Sequence, residues 1–207
     1  MASFSQAKAV GGVGAILVLL SFVPSVGAVL GIVGFIMVLM AVKRISEELG
    51  DRRIFNNMMV AVLLSIVGIA VGSLVVVPTI LNAFQSGYFN GPDFAPSSSV
   101  TIGQWVAFGT AIGLGLLATW VFFLASAFFL RRSYREIGVK LSVSLFGTAG
   151  LLYLIGAVTA IVVVGFAIIL AAQVLTALAF FSIQEEEGRQ QRVPLQTTIA
   201  RSKGGDK

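Results

Sequence analysis

The 207-residue chain contains no cysteine and no histidine. Without cysteine there is no disulfide, thiol nucleophile or thiolate metal site, and the redox state of the compartment leaves no mark. Without histidine the commonest metal and haem ligand and the commonest general base are missing too. Charge is scarce: Asp, Glu, Lys and Arg make up 11% of the residues, against about 25% in an ordinary soluble domain. A soluble core of this size would need a polar coat that these residues cannot supply. Hydrophobic residues are 57% of the chain and the mean hydropathy is +0.98. The few charges are clustered, which leaves Ala9–Val42, Ile54–Pro92, Phe94–Leu130 and Leu141–Gln184 free of them. Each stretch exceeds the roughly 18 apolar residues of a spanning helix. Outer-membrane strands alternate over about ten residues instead of running unbroken, so the helical solution is the one that satisfies the backbone in lipid. The expected fold class is all-α, a multi-pass transmembrane helical bundle of about six helices.

Counting the helices takes one more step. At about 1.5 Å per residue a single helix over Ala9–Val42 would run near 51 Å, against a hydrocarbon core of about 30 Å. It must fold back, and Pro24-Ser25-Val26-Gly27 marks where, because proline disfavours helix at the residue before it and glycine accepts unusual backbone angles. The first helix is expected over about Ser3–Val23 and the second over Val26–Lys43. The third falls at Met58–Phe84, with a kink at Pro78, and the fourth at Gln104–Leu130, after a polar loop over Gln85–Gly103. The last stretch divides near Gly165 into helices at about 145–162 and 165–183. Residues 1–184 form the bundle and residues 185–207 a flexible cytoplasmic tail, with Glu185, Glu186 and Glu187 as a solvated helix end. Sliding the sequence by 138 residues sets Gly12 on Gly150, Gly27 on Gly165, Ala41 on Ala179, Ile45 on Ile183 and Glu47-Glu48 on Glu185-Glu186. Either the first helical hairpin is repeated in parallel as the third, or two glycine-rich apolar segments coincide.

The basic residues set the topology. On the six-helix reading all 14 Lys and Arg share one face: Lys8; Lys43, Arg44, Arg52 and Arg53; Arg131, Arg132, Arg135 and Lys140; Arg189, Arg192, Arg201, Lys203 and Lys207. The opposite face carries one charge, Asp93. The positive-inside rule makes the basic face cytoplasmic, with both termini inside the cell membrane. Parity survives if the first or last hairpin dips in and returns without crossing. Tyr88, Phe89 and Trp105 are placed near the outer boundary and Tyr134 near the inner one. Attraction to anionic lipid heads accounts for the basic residues behind a pI near 10.0, since they flank helices and do not cluster with aromatics on a soluble module. Membrane lipid is the expected partner, with a membrane protein or a second copy as further candidates, and nucleic acid is not expected. Lys8 precedes an apolar run but no small-residue cleavage site follows, so the start is not read as a cleaved signal.

Several segments carry a family resemblance. They are Ser5-Gln6-Ala7-Lys8 with Gly11-Gly12-Val13-Gly14-Ala15-Ile16-Leu17, then Ile45-Ser46-Glu47-Glu48-Leu49-Gly50-Asp51 with Ile54-Phe55-Asn56-Asn57, and later Phe146-Gly147-Thr148-Ala149-Gly150-Leu151-Leu152-Tyr153-Leu154-Ile155-Gly156-Ala157. The chain resembles an uncharacterised, mainly archaeal family of integral membrane proteins, domain of unknown function 996, over all but the tail after Glu187. The resemblance implies membrane location and a prokaryotic, archaeal source. It implies no activity.

Chemistry is thinly represented. Glu47, Glu48, Asp51, Asn56 and Asn57 offer hard oxygen ligands of the kind that hold magnesium or calcium. The plainer reading is that Gly50 ends a helix, Asp51 caps the next, and Lys43, Arg44, Arg52 and Arg53 are ordinary ion partners. No catalytic, cofactor or metal set is expected, and no span carries a charge of the kind that marks proton relays and ion paths. Neutral polar groups remain at Ser65, Ser73, Thr110, Thr119, Ser126, Thr159 and Gln173. The hydroxyls are expected to bond back to carbonyls, and Gln173 to bond across to another helix, since an unpartnered amide there would be costly. If Gln173, Thr110 and Thr119 instead line one polar path, they are the candidate substrate contacts. Gly27 with Gly31, Gly68 with Gly72, and Gly109 with Gly113 are spaced to share a helix face and permit close packing. The expected function is therefore a non-enzymatic accessory, assembly or lipid-organising membrane protein. The alternative is a small transporter or channel for a neutral or weakly polar solute.

The topology is directly testable because the chain lacks cysteine. A membrane-impermeant maleimide applied to intact cells labels Asn90→Cys and leaves Ser202→Cys unlabelled; labelling at 202 would reverse the orientation.

Overall fold

The computed structural model describes residues 2–23, 25–90, 95–96, 100–162 and 164–183. Six α-helices make up nearly all of it: α1 (Ala2–Leu19), α2 (Gly27–Glu48), α3 (Arg52–Gln85), α4 (Ile102–Lys140), α5 (Ser144–Thr159) and α6 (Val164–Phe181). A single 3-10 turn extends α1 through Leu20–Phe22 and another extends α5 through Ala160–Val162. Within the loop after α3, the two-residue strands β1 (Phe89–Asn90) and β2 (Ala95–Pro96) pair antiparallel, Phe89 opposite Pro96. Five helices are long and apolar enough to cross a membrane, while the apolar part of α1, Ser5–Leu19, is shorter.

The expected boundaries need correcting at the basic end. α2 continues past Lys43 to Glu48, α3 begins at Arg52 and not Met58, and α4 runs past Leu130 to Lys140. A charged side chain ends an apolar stretch but not a helix, because Lys, Arg and Glu are good helix formers that project into water. The ends lie where the backbone chemistry changes. At the close of α2, Asp51 N–H reaches Ser46 O (3.0 Å) and Gly50 N–H reaches Glu47 O (3.1 Å), with Gly50 at φ +63°; this is the left-handed stop that glycine favours. Asp51 then accepts from Arg53 N–H at 3.0 Å as the cap of α3. α4 ends the same way, through Val143 N–H to Gly138 O, but the left-handed residue is Ser142 at φ +56°. α4 starts with a capping box between Thr101 and Gln104. Pro78 lies inside an unbroken α3. The expected turn residue Pro24, and the tail with Glu185, Glu186 and Glu187, lie outside the described residues.

The helices pair as three antiparallel hairpins, α1–α2, α3–α4 and α5–α6. α4 also packs on α5, and α1 on α6, which brings the first and last hairpins together. Close approach inside each hairpin falls at glycine. A Cβ on Gly14 would stand 2.8 Å from Gly34 O, and one on Gly34 would stand 2.5 Å from Gly14 O. On Gly68 it would meet Phe122 Cβ at 2.5 Å, and on Gly72 it would overlap Thr119 Oγ1 and lie 3.1 Å from Gly115 O. Gly27 presses on the carbonyl of Ser21, and Gly31 on its Cβ. Among the described residues nothing lies within 4 Å of a Cβ added at Gly109 or Gly113. The expectation of close packing on that pair is thus overturned; on α4 the contact is made by Gly115, against Val76. Spacing of four places two residues on one face without saying which face meets the partner.

The largest buried side chains, Ile45, Ile54, Met58, Ile137, Phe146 and Phe180, gather at the end where α2 turns into α3 and α4 into α5. Phe146 lies edge-on to Phe180 (5.1 Å between ring centroids) and to Tyr134 (5.8 Å). Tyr134, expected near the inner membrane boundary, lies at this basic end between Arg132 and Arg135 and is 3% exposed, covered by α5 and α6. At the other end Tyr88, Phe89, Trp105 and Phe108 form a cluster with ring centroids 5.3–6.3 Å apart.

Gly72→Leu lowers the melting temperature in detergent, with an overpacking penalty of about 1–3 kcal/mol, whereas Gly113→Leu leaves it unchanged. Equal melting of the two variants would show that the α3–α4 seam tolerates side chains at Gly72.

Candidate functional site

Two places were singled out by sequence, the turn between α2 and α3 and the polar groups within the helices. At the turn, Glu47 faces Lys43 one helical turn back, at 3.9 Å, and both are too exposed for the pair to add much stability. Asp51 points the other way, with its second oxygen 2.6 Å from Lys140 Nζ at the end of α4. The two carboxylates therefore serve different cations, and among the described residues no three Asp or Glu side chains converge as a metal would need. Ser46 donates to the Asp51 carbonyl at 2.7 Å and locks the turn. Beside it lies an open cavity of about 600 Å³ lined by Lys43, Arg52 and Arg53 together with Glu47 and Asn56. Three cations to one acid suit an anion better than a metal ion. From sequence these cations were read as ion partners and as basic residues facing anionic lipid heads, not as lining one cavity; the sharp turn at Gly50 is the signal that would have placed Lys43 beside Arg52 and Arg53.

Lys140 and Asp51 join α4 to the α2–α3 turn across the basic end. The Lys140 hydrogen bond, and after it the Arg53 amide, hold the Asp51 carboxyl below its ordinary 3.8. Glu136 is less well served: one oxygen sits 3.7 Å from Arg132 Nε, while the other is buried with no hydrogen-bond partner.

Within the helices, Gln173 on α6 is buried and its amide donates to the Tyr153 hydroxyl on α5. Thr119 lies on the α3–α4 seam, donating to Gly115 O (3.0 Å) and Gly68 O (3.3 Å). Thr110 is exposed and bonds back to Val106 O at 2.8 Å. Thr119 and Gln173 thus sit in different seams and Thr110 on the outer surface of α4, so the three do not line one path. Ser73 and Thr159 also bond back to their own helices. Three ties between helices escaped the sequence reading: Ser65 to Ser126 (2.7 Å), Ser133 to Ile54 O (2.9 Å) and Trp120 Nε1 to Ala157 O (2.9 Å). A hydroxyl or indole gives no sequence signal of whether it bonds within its helix or across.

The architecture is an all-α bundle of three helical hairpins, with helices of membrane-spanning length and its internal polar groups bonded within or between helices. The chain belongs to the family described as "Protein of unknown function (DUF996)", which it matches over residues 30–174. It is similar to an uncharacterized protein of Methanocaldococcus jannaschii, 28% identical over 181 residues, covering 87% of this chain and 93% of that protein. No solved structure matches the chain.

The lowered Asp51 pKa carries a pH prediction with a definite sign. A depressed folded value means that the ion pair supports the fold above the unfolded value near 3.8 and that this support is lost as pH falls through the folded value. Melting in detergent is therefore flat with pH down to that region. In Lys140→Met melting is lower at neutral pH and the acid-side fall is smaller, because the folded and unfolded values of Asp51 lie closer together; an unchanged profile would show that Lys140 does not set the Asp51 pKa.

Proposed function

We propose that this protein is a non-enzymatic integral membrane protein that organises lipid or assists a membrane assembly, with both termini in the cytoplasm. The observation that carries the reading is the state of the interior polar groups. Gln173 is bonded to Tyr153, and Thr119 is bonded to the carbonyls of its own seam. A solute path needs polar groups that face a common space and can exchange partners. A bundle whose amide and hydroxyls are already bonded to neighbouring helices supports a structural role, since such bonds hold helices together where water is absent. The basic end, with Lys43, Arg44, Arg52, Arg53 and Lys140 on three helices, supports contact with anionic headgroups. No catalytic role is proposed: of the acids at that end, Glu47 and Asp51 face Lys43 and Lys140, and Glu136 faces Arg132 through one oxygen.

The test is transport itself. Reconstituted alone in liposomes that enclose a pH-sensitive dye, the protein leaves an imposed pH gradient decaying at the rate of empty liposomes, whichever neutral solute is added. Saturable, solute-dependent dissipation that disappears in Gln173→Leu would replace the structural reading with a transporter.

A further inference from the structure

The six helices differ too much in length to share two membrane faces. α2 has 22 residues and α6 has 18, against 34 in α3 and 39 in α4. At about 1.5 Å per residue the short helices reach about 27–33 Å and the long ones about 51–58 Å. Three-residue turns, Leu49–Asp51 and Leu141–Val143, start the long and short hairpins from the same basic end. The short hairpins therefore stop about 20–30 Å below the tip of the α3–α4 hairpin. Side-chain contacts fix the same offset. Trp120 bonds to Ala157 in the last turn of α5, leaving residues 102–119 of α4, about 27 Å of helix, above it. Lower down, a Cβ on Gly150 would lie 3.1 Å from Arg131 Cα, so α5 and its 3-10 turn rise only about 18 Å beyond a charged residue of α4, short of a hydrocarbon core of about 30 Å.

The turns differ in kind as well as height. The α5–α6 turn exposes Ile161, Val162 and Val164, and the α1–α2 turn exposes Val23 and Val26 with Ser25 the one polar side chain among them. The α3–α4 connection begins Gln85-Ser86-Gly87 and carries the aromatic cluster of Tyr88, Phe89, Trp105 and Phe108, the residues favoured at a membrane–water boundary. If the short hairpins crossed fully, the upper part of α3–α4 would stand in water with Leu74 76% and Leu114 60% exposed. If instead the long hairpin spans, the apolar short turns lie in hydrocarbon, which suits their side chains. In the α1–α2 turn tight bonds, Val23 N–H to Leu20 O (3.0 Å) and Gly27 N–H to Val23 O (2.9 Å), satisfy backbone groups, as membrane depth requires.

We infer that only the α3–α4 hairpin crosses the bilayer, and that the α1–α2 and α5–α6 hairpins are seated in the cytoplasmic leaflet with their turns in lipid, making the protein a wedge that favours membrane curved with that leaflet outermost. The inference rests on the membrane reading above and names lipid as what covers the exposed apolar faces. Four helices occupy one leaflet beyond the two that pass through both, an excess cross-section of about 300–450 Å² for helices about 10–12 Å wide. Crowding one leaflet relative to the other is relieved by bending.

Nitroxide labels on Val26→Cys, Val162→Cys and Ser86→Cys, each in the full chain reconstituted in phosphatidylcholine–phosphatidylglycerol vesicles, test the seating. The labels at 26 and 162 are several-fold more accessible to oxygen than to a water-soluble nickel chelate, whichever side the chelate is on. The label at 86 is readily reached by the chelate. Ile161→Cys and Val29→Cys, at neighbouring exposed positions, replace a variant that fails to assemble. Chelate access at 26 and 162 equal to that at 86 would overturn the seating. For the wedge, a fluorescent form with its basic face outward collects at several-fold higher density per area on small sonicated vesicles than on large extruded ones; equal density would overturn it. A chain that carbonate strips from membranes would sink the membrane reading itself, whereas chelate-accessible turns in a chain that resists stripping sink only the seating.

Discussion

Helices surrounded by hydrocarbon gain little from burying apolar side chains against one another, because lipid tails are as apolar as leucine. Their association has to come from fit, and fit here depends on backbones touching. Gly14 and Gly34 face each other across α1–α2, and Gly68, Gly72 and Gly115 line the α3–α4 seam. Gly156 and Gly165 bring α6 against the last turn of α5, where a Cβ on Gly156 would lie 3.1 Å from Gly165 O. Each hairpin is thus held by the absence of side chains at its contact line, and the larger groups are driven to the outside or to the basic end. The aromatic core of Tyr134, Phe146 and Phe180 is where packing resembles that of a soluble protein, and it lies where three hairpins meet.

Polar groups add specificity to that fit. Trp120 to Ala157 O and Ser133 to Ile54 O are bonds from a side chain to a carbonyl of another helix, so each fixes axial register as well as distance. With Ser65 to Ser126 and Lys140 to Asp51 they tie α4 to both neighbours along much of its length. α4 is the spine: it contacts α3 over its whole course and α5 over its basic half.

Much of this was legible in the sequence, and the misses share a cause. Composition identified helices and their number, Gly50 and Asp51 marked a stop and a cap, and a bonded Gln173 followed from the cost of leaving an amide alone in lipid. The ends of α2, α3 and α4 were misplaced because hydropathy reports the solvent, while a helix ends on backbone geometry such as the left-handed Ser142. Gly109 and Gly113 were assigned to an interface because spacing along one helix carries no information about the angular position of its neighbours. Of the internal repeat, both hairpins keep the helix, 3-10 turn, helix order, and Gly27 and Gly165 each press on the preceding turn. Gly12 and Gly150, by contrast, meet different partners, the Phe181 ring and Arg131.

The indole of Trp120 has a consequence of another sort. The chain holds two tryptophans, one stacked among aromatics at the tip of the long hairpin and the other hydrogen-bonded across the seam to α5. A form with Trp105→Phe keeps a single intrinsic fluorophore whose N–H is donated to the Ala157 carbonyl, so its emission colour reports whether the last hairpin is docked on the spine. The protein carries its own optical gauge of that joint, readable in detergent or lipid without an attached dye.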